Sequence, residues 1–406
     1  MRWRLGTLVC AVTCAVACAG CGRQVLLPGS AYSLATTTAR GTGLPGARSQ
    51  ATAPMSTTPT RQPPLGAPWP ERGILPQNAQ ELDADEILSQ VLDLPADVLY
   101  AMVPATLPSG SYAPEVVDLR TGTVRHGQSY PVAGLALASG YLWVYGSSGG
   151  HPVLDQASPG TLVTTRRDRV PGIPGVQGVA AVAAGPVGSV WVGGGRMLLR
   201  LSVHTGAVLG RAVLPADLDL SDLAAGGGSL YASATRLRPG GGVVLEYSEA
   251  SGRLLAQTGR APLTWALWGP LLTPVPGGIW VSFRTGMLGE SALLSARSLS
   301  FIKGPATVIS AADSPATGPG TVYSWAMGSI SAYAGGALWV ATSGGVVACV
   351  NPVTGIVRAQ EVVRSMPAWS VFALAADPRA EQVVAVISTT GYAGAVAISA
   401  PHACWH

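Results

Sequence analysis

The chain has 406 residues, of which 48% are apolar and only 11% are charged. Its 52 glycines and 32 prolines indicate many turns, which favours an all-β architecture over a helical one. The formal net charge is +4, and the sequence has neither a basic stripe nor an RNA-binding motif. We therefore expect no nucleic-acid partner.

The N-terminus has the pattern of an export signal. Arg2 and Arg4 form a short basic start, and residues 5–20 follow without a charge. This apolar run is too short to cross a bilayer comfortably and is typical of a signal peptide. The pattern predicts a removable signal over residues 1–20.

The signal ends in Cys18-Ala19-Gly20-Cys21, which resembles the bacterial lipobox, where small residues precede an invariant cysteine. The resemblance implies cleavage before Cys21 and acylation of its sulfur with diacylglycerol and palmitate, the thiolate being the nucleophile. The bilayer would then be a partner, and the chain would lie on the extracytoplasmic face of the cell membrane. Three alternatives stay open: a second frame, Ala15-Val16-Ala17-Cys18, an ordinary cleaved signal, and an uncleaved anchor.

A tether and a helix are expected between the anchor and the folded domain. Residues 21–76 are predicted to be a disordered, lipidated linker rich in Thr, Ser, Ala, Pro and Gly, either bare or glycosylated. A short helix is predicted over residues 77–95, where Asn78 and Glu81 have the spacing of a capping box. Its apolar stripe consists of Ala84, Ile87, Leu88, Val91 and Leu92. We expect this helix to pack on the folded domain.

Residues 96–406 contain a repeat in which a small turn residue precedes an apolar-aromatic-apolar triplet. The equivalent positions are Tyr100, Trp143, Trp191, Tyr231, Trp280, Trp339 and Ala385, at spacings of 43, 48, 40, 49, 59 and 46 residues. Periods of about 40–50 residues with β patterning are typical of propeller blades. We predict a seven-bladed β-propeller in which the recurrent aromatic residue packs between blades.

A second signal lies in phase with the first. A glycine recurs in the turn of the outer hairpin, and a side chain able to hydrogen-bond its own backbone stands four residues before it. The pairs are Asp118 with Gly122, Ser202 with Gly206, Ser248 with Gly252, and Asn351 with Gly355. In the fifth copy Leu299 takes the place of the glycine. The first copy lacks an inner strand and the last lacks a fourth, so we predict that the termini share a blade.

The repeats resemble those of YVTN-type and quinoprotein-like bacterial propellers and of streptogramin lyase. Gly188-Ser189-Val190-Trp191-Val192 and Thr205-Gly206-Ala207-Val208 carry this resemblance best. It covers about residues 98–399 and implies a fold more than an activity. Lys303 is the only lysine beside 24 arginines, a bias typical of a high-GC genome such as that of an actinobacterium.

Catalytic chemistry finds little support in the sequence. The five histidines, His126, His151, His204, His402 and His406, form no metal-ligand spacing. None is placed to supply the His, carboxylate and divalent-ion set that a streptogramin-type lyase needs. Glu115, Asp118, Glu246 and Asp313 are dispersed and are interpreted as turn or surface groups. We expect no catalytic residue, no metal and no cofactor.

Two features remain as candidate sites. Cys349 and Cys404 are the only cysteines of the repeat region, and an oxidising compartment would pair them in a disulfide. Two unpaired buried thiols are the alternative. Four aromatic residues precede inner strands at similar spacings, and could form an arc that stacks on a glycan; they are Tyr130, Trp265, Trp325 and Trp369. The alternative is that they cap the core or pack on the helix.

The sequence thus predicts a membrane-anchored, non-enzymatic binding or scaffolding module at the cell envelope, with an envelope protein or a glycan as ligand. An accessory subunit of an envelope complex and a propeller enzyme of the streptogramin-lyase or quinoprotein type are the alternatives.

Overall fold

A computed structural model describes 14 segments of the chain: residues 71–73, 89–104, 111–121, 123–131, 133–173, 181–186, 188–236, 241–258, 271–285, 288–306, 330–341, 346–362, 370–389 and 392–405. Within them, 28 strands form seven four-stranded antiparallel sheets. Each sheet is one blade of a propeller, so the predicted all-β, seven-bladed fold is confirmed.

Every blade has four strands, which are named below from the innermost to the outermost. Blade 1 is β2 (Ser89–Asp93), β3 (Val98–Pro104), β4 (Tyr112–Asp118) and β5 (Val124–His126); blade 2 is β6 (Ala133–Ala138), β7 (Tyr141–Ser148), β8 (His151–Ala157) and β9 (Thr164–Arg169); blade 3 is β10 (Ala181–Ala184), β11 (Ser189–Gly194), β12 (Met197–Ser202) and β13 (Val208–Val213). Blade 4 is β14 (Leu218–Gly226), β15 (Ser229–Arg236), β16 (Gly242–Ser248) and β17 (Leu254–Gln257); blade 5 is β18 (Leu271–Val275), β19 (Gly278–Thr285), β20 (Leu288–Ser295) and β21 (Phe301–Ala306). Blade 6 is β22 (Ile330–Ala334), β23 (Ala337–Ala341), β24 (Val346–Val350) and β25 (Val357–Val362); blade 7 is β26 (Ser370–Asp377), β27 (Gln382–Thr389), β28 (Tyr392–Ser399) and β1 (Glu71–Gly73).

The blades close into a ring. Each inner strand lies beside the inner strand of the next blade, and β26 lies beside β2. Blade 7 takes its outermost strand from the other end of the chain, because β1 pairs antiparallel with β28 and Glu71 faces Ile398. The prediction that the termini share a blade is confirmed. All of these strands lie within Thr60–His406, one compact unit, which we expect to fold by itself.

The prediction of a helix over residues 77–95 is wrong for the part of this segment that the structure describes. Ser89–Asp93 is strand β2, paired with β3, and Leu94–Ala96 is a 3-10 turn that Asp97 ends at a positive φ of 53°. The remaining residues of the expected helix, 77–88, lie outside the described residues. The apolar pair Val91 and Leu92 fitted a helical spacing, but it fits equally a strand that is covered on both faces. Pairing with β3 decides between the two.

The recurrent aromatic residues form the core between blades, as expected. The indoles of Trp143, Trp191, Trp280 and Trp339 are 0% exposed. Each lies on the second strand of its blade and packs on apolar residues of the following blade; Trp143 of blade 2, for example, contacts the cluster that contains Val190 and Leu199 of blade 3. Trp143 Nε1 also donates to the carbonyl of Ala138 at 3.0 Å. The ring therefore coheres through these shared layers.

The predicted outer-hairpin turns are confirmed where they are described. The side chains of Asp118, Ser202, Ser248 and Asn351 each accept a hydrogen bond from backbone N–H groups two or three residues on. In blade 5 the turn forms without its glycine, because Leu299 itself adopts a φ of 49° while its side chain stays buried. Leu162 does the same in blade 2 at 57°. Burial of a leucine side chain offsets the steric cost of the left-handed backbone.

The C-terminus fastens blade 7 to blade 6. The sulfurs of Cys349 on β24 and Cys404 are paired in a disulfide with a Cα–Cα distance of 5.9 Å, as the sequence predicted. Trp405 packs beside Trp339, with ring centroids 4.6 Å apart. His402 Nδ1 lies 2.7 Å from a carboxylate oxygen of Glu381 in the turn between β26 and β27. The C-terminal segment is therefore a second closing contact, independent of β1.

We predict that the unit Thr60–His406, denatured without reductant, shows no free thiol in a titration with a chromogenic disulfide reagent. The Cys404→Ser variant should show one free thiol. It should lose about 4 kcal/mol of unfolding free energy in the chain-entropy estimate for the 55-residue separation of the two cysteines. Reduced wild type is the control and should unfold at the same urea midpoint as the variant. Two free thiols in the unreduced wild type would reject the bridge.

Candidate functional site

The antiparallel blades give the ring two unlike faces. The turns between first and second strands and between third and fourth strands lie at one edge of every blade, which we call the turn face. The segments between second and third strands and between successive blades lie at the opposite edge, the loop face. The described turns are mostly short, whereas most of the connections between blades contain undescribed residues, among them 174–180, 259–270, 307–329 and 363–369.

The aromatic arc predicted from the sequence would lie on the loop face. Its first member, Tyr130, is only 1% exposed and packs in the core between blades 1 and 2. Its ring therefore offers no face to a ligand, and for this residue the alternative of capping the core under the loops fits the structure. Trp265, Trp325 and Trp369 lie outside the described residues.

Tyr130 belongs to a buried polar network. Its phenol donates to Oδ2 of Asp155, which is 0% exposed, and Arg167 makes a two-pronged contact with the same carboxylate at 2.7 and 2.6 Å. Arg167 also donates to Gln128 at 2.9 Å. Burial and the neighbouring carboxylate raise the pKa of Tyr130. A buried carboxylate whose oxygens are satisfied in this way locks the connection between blades 1 and 2 in place and leaves no free base.

Two other acids interpreted as turn or surface groups are instead buried. Glu246 on β16 is 0% exposed; it accepts from Ser229 Oγ at 2.7 Å and from the backbone N–H of Arg297 in the next blade. Glu115 contacts His126 at 2.6 Å, and burial raises its pKa while the imidazole lowers it. These carboxylates connect neighbouring strands through hydrogen bonds and an ion-pair contact. Asp118 is a turn group as predicted, and Asp313 lies outside the described residues.

The inner strands line the centre of the ring with small and apolar residues. Thr273 on β18 and Ser331 on β22 join blades 5 and 6 through their hydroxyls, 2.7 Å apart. Asp222, at a bulge in β14, accepts from the N–H of Leu223 at 2.8 Å. Burial raises the pKa of Asp222 to about 7, and backbone hydrogen bonds from Leu223 and Leu272 oppose the shift.

Sequence reasoning missed Asp222. A carboxyl with a pKa near neutrality is a candidate functional group, and the signal was the second of two acids, Asp219 and Asp222, on the inner strand Leu218–Gly226. Within the described ranges, no group of three or more His, Cys, Asp or Glu side chains could hold a metal ion. Asp222 accepts hydrogen bonds from backbone amides of blades 4 and 5. These contacts connect the inner strands of the two blades.

Comparison with known proteins assigns no family. No family model and no curated protein matches the sequence. Among solved structures, the chain is similar to BamB from Moraxella catarrhalis, with a TM-score of 0.45 and 13% identity over 77% of this chain and 82% of that one. It is also similar to the computationally designed protein Ika8, with a TM-score of 0.43 and 10% identity over 80% and 99%. Likenesses of this size assign neither a family nor a function. The class defined by the fold is the seven-bladed β-propeller.

The part of the chain that the structure describes contains no helix that is long and apolar enough to span a membrane.

We predict that Asp222→Asn stabilises the ring at neutral and alkaline pH. The folded state favours the protonated carboxyl, so the stabilising contribution of Asp222 is present below its usual pKa of 3.8 and is lost as the pH rises through about 7. An amide cannot ionise, and the variant should gain of the order of 1 kcal/mol above pH 7 and nothing near pH 3. Urea unfolding across this pH range measures the difference.

The matched control is Asp219→Asn, which removes an exposed carboxylate from the same strand. Above pH 7 the Asp222→Asn variant should be more stable than this control. Parallel curves for the two variants would contradict the assignment of a raised pKa to Asp222.

Proposed function

We propose that this chain is an exported lipoprotein whose propeller acts as a binding or scaffolding module at the outer face of the cell membrane. The observation that carries the proposal is the pairing of Cys349 with Cys404. Structural disulfides persist in oxidising compartments outside the cytosol, and the first 21 residues have the pattern of a signal that delivers a chain there. The lipobox-like ending at Cys21 supplies the anchor.

The closed ring supports a binding role. The described inner strands pair Thr273 with Ser331 and place Asp222 against backbone amides, and the buried acids Asp155 and Glu246 have hydrogen-bond partners. The polar groups in these places serve cohesion. The variable parts of the ring are the loops between blades and the outer strands, where a rigid scaffold commonly carries its binding residues.

Acylation of Cys21 tests the anchor. Cells expressing the full chain and fed a labelled palmitate analogue should incorporate the label, and the Cys21→Ala variant should not. Cys18→Ala is the matched control and should keep the label, because cleavage before Cys21 discards Cys18. If Cys18→Ala loses the label and Cys21→Ala keeps it, the anchor lies in the second frame. The lipoprotein proposal is overturned if both variants keep the label, or if the wild type and both variants all lack it.

The ligand surface that we propose is the loop face, where three of the predicted aromatic residues remain candidates. Trp369 is the residue directly before β26, and Trp325 and Trp265 precede β22 and β18 by five and six residues. Neighbouring blades would thus present flat aromatic faces to one ligand, and aromatic stacking on sugar rings suits a glycan.

We predict that an oligosaccharide found on a glycan array binds wild type and loses about tenfold or more in affinity with Trp325→Ala or Trp369→Ala, since each removes a stacking face. Isothermal titration gives the dissociation constants. Tyr141→Ala is the control, because Tyr141 is 40% exposed at the turn face. Unchanged affinity in both tryptophan variants would dismiss the arc while leaving the test of acylation untouched.

A further inference from the structure

Exposed apolar side chains concentrate on the outer strands of three successive blades. Eleven large apolar residues are exposed among the described residues, and six of them lie on β13, β17 and β21. They are Leu209, Val213, Leu254, Leu255, Phe301 and Ile302, each between 37% and 52% exposed. We call this surface the apolar rim. The outer strands β5, β9 and β25 expose no large apolar residue among their described side chains.

The blades that carry the apolar rim touch one another next to their outer strands. The turn that leads into β17 touches β13: a Cβ added to Gly252 would lie against the carbonyl of Arg211, and Tyr247 Oη donates to the carbonyl of Val213 at 3.2 Å. The turn that leads into β21 touches blade 4, because the backbone N–H of Arg297 donates to Glu246. Blades 3 to 5 are therefore joined near the turn face, and their outer strands follow one another on successive blades.

The rim carries positive charge. Arg211, Arg253 and Arg297 are exposed on its strands and turns. The outer strands and the turns before them, residues 203–213, 249–257 and 296–306, contain one acid, Glu249, which is buried at 7% exposure. Blade 2 differs, since Asp168 on its outer strand contacts Arg166 at 2.7 Å. Among the outer strands that the structure describes, those of the apolar rim combine apolar side chains with unbalanced arginines.

Such an edge is unusual for a protein that stays free in water. Outermost strands present unpaired backbone groups, and proteins usually protect them with charges, prolines or very short strands. In this ring β13 and β21 have six residues each, and such protection is partial, with Arg211 on β13 and with Lys303 and Pro305 on β21. Beside these residues Leu209, Val213, Phe301 and Ile302 are exposed. An exposed apolar surface of this kind marks a place where something docks.

We propose that the apolar rim docks on the surface of an anionic lipid bilayer. Apolar side chains flanked by arginines match the interface between acyl chains and negatively charged headgroups. The proposal rests on the lipid anchor at Cys21, from which β1 at Glu71 is separated by 49 residues. Even fully extended, these would hold the ring within about 170 Å of the bilayer, so weak surface contacts suffice to orient it. The turn face and the loop face would then both stand clear of the membrane plane.

Vesicle co-sedimentation of the non-acylated unit Thr60–His406 tests the proposal independently of the anchor. We expect this unit to sediment with phosphatidylglycerol-containing vesicles at low salt, more weakly at high salt, and least with pure phosphatidylcholine. The Phe301→Ser/Ile302→Ser double variant should bind anionic vesicles about tenfold more weakly, because two partly exposed apolar side chains no longer enter the interface. Arg211→Gln/Arg253→Gln should lose the preference for anionic vesicles.

The matched control is Val353→Ser/Ile356→Ser, which removes two exposed apolar side chains, 58% and 53% exposed, from the outer-hairpin turn of blade 6. It should bind like wild type, and circular dichroism should show the same β content in all variants. The proposal is overturned if wild type binds no vesicles, or if the control loses as much binding as the rim variants. Concentration-dependent self-association of wild type that Phe301→Ser/Ile302→Ser abolishes would also overturn it, since a second chain would then cover the rim.

Discussion

The packing of a buried side-chain layer, aromatic in most copies of the repeat, between neighbouring blades is the constraint on which the whole ring depends. A four-stranded blade has two broad faces and cannot cover either by itself. Trp143, Trp191, Trp280 and Trp339 are fully buried only because the following blade lies against them. Removing any blade would expose two such layers, so the ring is stable only when it closes.

Closure has to be secured at one junction, where the chain is not continuous. Two unrelated devices meet in blade 7. Strand β1 satisfies the outer edge of β28 by backbone hydrogen bonds, whereas Cys404 and Trp405 tie the other end to blade 6 by a covalent bond and by stacking on Trp339. The pairing of β1 with β28 depends little on the solvent and on pH. The disulfide of Cys404 depends on an oxidising environment. A chain exported in the unfolded state gains the second device only after it reaches its destination, which links stability to location.

The sequence predicted the features that repeat and missed those that occur once. Seven equivalent positions and the capped glycine turns predicted blade number, core and turns, and Leu299 kept the turn form because burial outweighs its backbone cost. The strand Ser89–Asp93 is the inner strand of blade 1, but its apolar residues also have a helical spacing, so the segment was taken for a helix. Tyr130 had the right spacing for an arc, but spacing gives the position of a residue and not the direction of its side chain, which Asp155 determines. Asp222 was missed because its raised pKa results from burial in the folded ring, which the sequence does not show.

Buried polar side chains of the described residues contribute to the cohesion of the ring. In the described ranges the buried carboxylates Asp155 and Glu246 accept hydrogen bonds from two groups each, and the bond from Arg297 to Glu246 crosses from blade 5 to blade 4. These bonds hold the two carboxylates in place. The large surface that the ring leaves uncovered is apolar and lies at its edge, on the outer strands of blades 3 to 5. Surface of that kind gains free energy by being covered.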